Sequence, residues 1–256
     1  MDPTIILLGF SVGILVGLTG MGGGALMTPL LILVMGVRPV IAIGTDLAYA
    51  ALTKVFGAWQ HYRQGNVDTK IAFPMMSASI PASLLGVYLI HILKSRYQVN
   101  VDALIKSSLG LVLILVALIL FSLPLLFQKR GDTTQLIHLW GPKSIKSLIL
   151  GAVVGFLVGF TSIGSGTLIF AGLAFCSALP LKKIVSTDVF HGAFLTAAAG
   201  LAHWWSANID LALLFPLLIG SIPGVLIGSK LSVSLPNWIL RPILASILLW
   251  AGIKLI

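Results

Sequence analysis

The sequence predicts an all-α polytopic membrane protein. It reads as two inverted repeats, each a glycine-broken re-entrant helical hairpin followed by three transmembrane helices, about eight transmembrane segments in all. Three observations predict this: an inventory too apolar for water, a self-match at a fixed offset, and positive charge placed unevenly between connectors.

Composition comes first. Hydrophobic residues make up 58% of the 256 and charged residues 9%, where soluble domains carry roughly a quarter charged residues. A water-facing surface cannot be built from that inventory, so the bilayer is the expected solvent. Sixteen Lys and Arg stand against seven acidic residues, for a net charge of +9. The basic residues lie in short connectors between apolar runs, which is where topology signals belong, so no nucleic-acid partner is expected. The single Cys176 excludes an intrachain disulfide. Met1-Asp2-Pro3 has neither a basic n-region nor a small-residue cleavage site, and reads as mature structure.

The repeat is a shift of 142 positions without a gap. Gly9, Gly13, Gly17, Thr19, Gly22 and Gly24 fall on Gly151, Gly155, Gly159, Thr161, Gly164 and Gly166. Thr45-Asp46 falls on Thr187-Asp188, His61 on His203, and Asn66 and Asp68 on Asn208 and Asp210. Pro74 and Pro81 fall on Pro216 and Pro223. Leu and Gly alone could match by chance in any apolar chain, but paired Asp, His, Asn and Pro do not. The units are 1–127 and 147–256, joined by a polar linker over 128–146.

A spanning helix needs about 20 apolar residues. Segments 43–62, 70–92 and 103–127 qualify in the first repeat, and 185–205, 209–229 and 238–256 in the second. The apolar segment before each trio is interrupted, at 20–24 and at 162–166. Each is either one bent crossing or a hairpin that returns to its starting side. As hairpins, they put ten Lys and Arg on one side and five on the other; as crossings they give seven and eight. The bias favours hairpins, with both termini outside and the linker in the cytoplasm. A hairpin plus three crossings is an odd step, so the second repeat enters upside down, an arrangement many secondary transporters use.

Candidate site residues follow. Backbone broken inside hydrocarbon must line a cavity or be buried in protein. The interruptions at Gly20, Met21, Gly22, Gly23 and Gly24, and at Ser162, Gly164, Ser165 and Gly166, each open a half-helix whose first N–H groups suit an anion. Thr19, Thr161, Ser162 and Ser165 add hydroxyls; tight packing is the competing reading. Gly9, Gly13 and Gly17, spaced by four, read as packing. Asp46 and Asp188, each after a Thr (Thr45, Thr187), are carboxylates at membrane depth: coupling groups, helix caps, or groups positioning the broken segments. Lys54, whose repeat mate is Thr196, would attract an anion, neutralise Asp46 or Asp188, or snorkel to the interface. His191 shares a helix face with Asp188 and could relay protons. His61 and His203 lie near Trp59, Trp204 and Trp205 and read as interfacial. No metal-ligand cluster is evident, and no cofactor is expected. Ser165 with His191 and Asp188 invites an intramembrane hydrolase, but its repeat mate Gly23 points to a backbone requirement. A passive anion channel is the stronger rival to a transporter.

The stretch Gly13-x-x-x-Gly17-Leu18-Thr19-Gly20-Met21-Gly22-Gly23-Gly24, then Gly44-Thr45-Asp46, then His61-x-x-x-Gly65-Asn66-Val67-Asp68, resembles the TauE/SafE sulfite exporter family over nearly the whole chain. The resemblance implies a bacterial or archaeal inner-membrane permease, no enzyme, with sulfite, sulfoacetate or another organosulfonate as substrate and export as direction. The coupling ion would be a proton or sodium. The second half departs from the glycine pattern at Ser162 and Ser165, which makes the expected site asymmetric.

Overall fold

The computed structural model describes residues 3–19, 24–96, 100–128, 145–177, 179–231 and 237–256. The linker falls almost wholly outside them, as do Gly20 to Gly23. The described residues form ten helices: α1 (Pro3–Thr19), α2 (Gly24–Leu33), α3 (Pro39–Arg63), α4 (Thr69–Ser95), α5 (Val101–Gln128), α6 (Ile145–Thr161), α7 (Leu168–Cys176), α8 (Leu181–Trp205), α9 (Leu211–Leu231) and α10 (Asn237–Leu255). Five of them, α3, α4, α5, α8 and α9, are long and apolar enough to cross a membrane. The sixth expected span, 238–256, corresponds to α10, which among the described residues is a shorter apolar helix, Pro242–Leu255. The outer surface is apolar: Phe56 is 78% exposed and Trp205 89%, a surface that fits acyl chains and not water.

Local signals set the helix ends. Pro39, whose fixed φ suits a first turn, opens α3 behind the extended Arg38. Asp68 caps α4, its carboxylate accepting from Ile71 N at 3.2 Å. Gly65 ends the α3 turn at φ 67°, and its repeat mate Ala207 adopts φ 54°. A non-glycine residue there costs about 1–2 kcal/mol, so the second repeat keeps a turn that its own sequence disfavours. Helices α4 and α9 run through Pro74 and Pro81, and through Pro216 and Pro223.

Packing follows the 142-residue offset. Helix α1 lies along α9 and α6 along α4, while α3 packs on α8 and α5 on α10. Exchanging repeat mates turns the first pair into the second and leaves the other two unchanged. The glycines spaced by four make these contacts. A Cβ on Gly9 or Gly13 would lie 2.6 Å from the carbonyl oxygen of Leu217 or Ser221. In the other repeat Gly151, Gly155 and Gly159 meet the carbonyls of Met75, Ser79 and Ser83, the mates of Leu217, Ser221 and Val225. Any side chain would hold the two backbones apart, which is the small-residue rule of helix packing in lipid.

Candidate functional site

The second break is a buried stretch of irregular backbone between two helices. Helix α6 stops at Thr161, α7 starts at Leu168, and every residue from Thr161 to Leu168 is buried. Ser162 sits at φ 66° and Gly164 at φ 121°, so the chain leaves α6 through a left-handed turn. Thr161 Oγ1 donates back to Leu157 O at 2.7 Å and accepts from Ile163 N at 3.3 Å, so it ties the end of α6 to the break. Thr167, at the start of α7, makes no side-chain cap bond, and its buried Oγ1 has no partner.

Two charged side chains of α3 face this break. Asp46 is fully buried, and its Oδ2 accepts from Ser162 Oγ at 2.7 Å and from Thr28 Oγ1 of α2 at 2.6 Å. One carboxylate oxygen thus ties the second half of the first broken segment to the break in the other. Lys54 is 8% exposed. Its Nζ donates to Ser165 O at 2.6 Å and to Ser165 Oγ at 2.9 Å. It does not snorkel. From α8, Gly192 brings its backbone against this pair: a Cβ there would lie 2.8 Å from Ser165 O and 3.1 Å from Lys54 Nζ.

Asp188, on α8, is also buried, and its Oδ1 has no hydrogen-bond partner. The charge of Lys54 acts on both carboxylates. Neither aspartate is a helix cap. Each is the eighth residue of its helix, because α3 begins at Pro39 and α8 at Leu181. The preceding threonines tie loops down instead: Thr45 Oγ1 accepts from Asp210 N at 3.1 Å, and Thr187 Oγ1 from Asp68 N at 2.9 Å.

His191 is buried, and its Nε2 meets Ser79 Oγ of α4 at 2.8 Å. The hydrolase arrangement does not assemble around it. Ser165 Oγ accepts from Lys54, and Lys54 spends a second N–H on the Ser165 carbonyl, which is the pattern of a donor holding a loop. His203 is fully buried and not interfacial. Its Nε2 donates to Gly159 O at 3.1 Å, and its Nδ1 faces Asn208 Nδ2 at 3.3 Å. Asn208 also lines a cavity of about 230 Å³ with Arg38, Lys94, Asn100 and Asp102, at the end of the bundle where α3 and α5 begin. The hydrogen-bonded chain Asn208–His203–Gly159 links that cavity to the last turn of α6.

Of the residues expected from sequence, Asp46, Lys54, Ser162 and Ser165 meet at the second break. Gly164 and Gly166 shape it. Gly20, Met21, Gly22 and Gly23 lie outside the described residues, as do the side chain of Thr19 and the surroundings of Gly24. Sequence reading missed Thr28 and Ser79. Thr28 falls on Phe170 under the repeat shift, so comparing repeats did not mark it. A lone hydroxyl in an otherwise apolar ten-residue helix was the available signal. Among the described residues, no group of three or more His, Cys, Asp or Glu could hold a metal ion.

Comparison with known proteins agrees with a membrane role. The family model "Sulfite exporter TauE/SafE" matches residues 5–255. A "Probable membrane transporter protein YjnA" of Bacillus subtilis (strain 168) is 43% identical over 260 residues, covering all of both chains. A second from that organism, "Probable membrane transporter protein YdhB", is 29% identical over 93% of each chain. In Methanocaldococcus jannaschii, "Probable membrane transporter protein MJ0441" is 27% identical over 90% of this chain and 87% of its own. No solved structure matches.

Proposed function

Because the chain belongs to the TauE/SafE sulfite exporter family, we propose that it is a secondary transporter of small sulfur-containing anions such as sulfite, sulfoacetate or another organosulfonate. The observation that carries this reading is Lys54. A buried ammonium donates into a helix break beside the unpartnered Thr167 hydroxyl. A cation, hydroxyl donors and the N-terminal end of a half-helix together favour an oxyanion. An arriving sulfonate would take the place that Ser165 now holds on Lys54.

The repeats are read as inverted, each broken segment as a re-entrant hairpin, and the chain as an inner-membrane protein with both termini outside. The exchange of α1/α9 with α6/α4 under the repeat shift supports a two-fold relation between the repeats, and the uneven Lys and Arg between connectors supports the inversion. Alternating access then comes from one repeat rocking on the other. Export suits an anion, because leaving a negative interior releases roughly 2.3 kcal/mol per charge per 100 mV.

The test is thermal unfolding of the purified protein with sulfite, sulfoacetate, taurine, sulfate and acetate, since a ligand of the native state raises Tm by mass action. A sulfur anion should raise Tm where acetate does not. Lys54→Gln should abolish the shift, and Lys230→Gln, at the end of α9, should keep it. No shift with any sulfur anion, or equal loss in both variants, would overturn the proposal.

A further inference from the structure

The break between α6 and α7 has two chemically opposite ends. Its Ser165 end faces Lys54. Its Ser162 end faces a carboxylate and follows the C-terminus of α6. The macrodipole makes a helix C-terminus partially negative, and cations are stabilised there. Three side chains converge at that end from three separate segments: Thr28 from α2, Asp46 from α3 and Ser162 from the break. Both hydroxyls lie 2.6–2.7 Å from the same Oδ2, so four side-chain oxygens, including Oδ1, are within a small volume. All three residues are at most 1% exposed, yet Oδ1 of Asp46 has no partner. A buried carboxylate oxygen without a donor is a vacancy for positive charge.

Charge counting points the same way. Two carboxylates, Asp46 and Asp188, and one ammonium, Lys54, are buried. With all three ionised, one negative charge is left over. Two hydroxyls and an unpartnered carboxylate oxygen converge at Asp46, so the surplus is assigned there. His191 meets Ser79 of α4 through Nε2, and its buried Nδ1 has no partner. An oxygen-only set with one net negative charge suits a hard monovalent cation. Repeat comparison shows that the set is particular to this end. The mates of Thr28 and Ser162 are Phe170 and Gly20, so Asp188 has no equivalent hydroxyls.

We propose that Asp46, Thr28 and Ser162 form a sodium site at the C-terminal end of α6, distinct from the anion position at Lys54 and Ser165. This rests on the transporter reading for its purpose but not for its geometry. A sodium ion there would hold α2 and the break together through one carboxylate. It would also offset the charge that an anion brings to Lys54, so sodium and anion should each favour the other's binding.

The experiment is thermal unfolding of the full chain in detergent, at fixed pH and ionic strength, with sodium, potassium or choline chloride and no sulfur anion. Sodium at 100 mM should raise Tm by about 3–5 °C over choline, the size expected for a ligand well above its Kd. Potassium should give less. Thr28→Val and Ser162→Ala should each remove the sodium increment, and Ser206→Ala, in the loop after α8, should keep it. Both site variants are near-isosteric and are checked by monodispersity and helical circular dichroism; if one fails to fold, the other decides. Equal shifts with all three cations would overturn the proposal. So would an increment that survives both site variants, or one that follows pH with no sodium dependence, which would assign the position to a proton. A chain that responds to sulfite but not to sodium loses this inference alone, and one that responds to sodium but not to sulfite loses only the substrate reading.

Discussion

Replacing Lys54 by Met keeps the length of the side chain and removes its charge and its donors. Two charge-assisted bonds to Ser165 are lost, each about 1.5–3 kcal/mol when a charged group is involved. Asp188, buried and with Oδ1 already unpartnered, also loses the charge of Lys54 that offsets its own. Breaking a buried pair by removing one member costs about 3–5 kcal/mol, because the remaining charge is stranded. At roughly 2–4 °C per kcal/mol for a chain of this size, Tm should fall by about 10 °C. The informative measurement is the double-mutant cycle with Asp188→Asn. If Lys54 and Asp188 compensate each other, the double variant should be more stable than the sum of the singles predicts, by about 2 kcal/mol or more. It should still lack any response to sulfite, because neutralising Asp188 does not restore the donor at Ser165. Additivity within about 0.5 kcal/mol would refute the pairing and reassign Lys54 to the loop alone. A larger coupling with Asp46→Asn than with Asp188→Asn would reverse the assignment of the surplus charge.

Two further predictions concern the scaffold. Gly13→Ala and Gly155→Ala should each destabilise by about 1–3 kcal/mol, the usual size for overpacking, since both would drive a Cβ into a serine backbone on the facing helix; a stabilised variant, as helix propensity alone predicts, would sink the packing account. Single cysteines at positions 94 and 230, placed in a Cys176→Ser background, should be labelled from opposite faces of an oriented membrane by an impermeant maleimide. Labelling of both from one face would refute the inverted arrangement.

Much of the fold was legible because the bilayer leaves few choices. An apolar run of about 20 residues in lipid forms a helix, since nothing else satisfies its backbone. The offset of 142 also identified equivalent positions before any contact was known. The glycines spaced by four read correctly as packing, because small residues at helical spacing have one common use in lipid. The aspartates were harder. Thr45-Asp46 and Thr187-Asp188 have the form of a cap pair, and only the starts of α3 and α8 at Pro39 and Leu181 place them two turns inside. The partners of the charges were not legible at all. Lys54 reaches a residue 111 positions away, and Asp46 one 116 positions away; no local pattern encodes such meetings. His203 misled for a related reason: its exposed neighbours Trp204 and Trp205 mark the interface, while its own side of α8 faces inward to Gly159.

The distribution of likeness between the repeats bears on mechanism. Residues that hold helices and loops together match across the offset: the glycines and the Thr45 and Thr187 loop ties; the two aspartates match as well. The charged and hydroxyl groups gathered at the second break do not match. Lys54 stands against Thr196, which bonds only within its own helix, to Gly192 O and Ala193 O. Thr28 stands against Phe170, Ser162 against Gly20, and Ser165 against Gly23. A symmetric scaffold can rock between two equivalent arrangements, as alternating access requires. Yet a site made of two identical halves would place two equal charges on its axis, and like charges buried together repel strongly. Giving one carboxylate a lysine and the other two hydroxyls resolves that conflict locally. It leaves one end of a single break suited to an anion and the other to a cation. Restoring symmetry at one position is therefore a sharp perturbation. Thr28→Phe, which copies Phe170, should leave the α1/α9 and α4/α6 contacts intact while removing one of the two hydroxyls on Asp46.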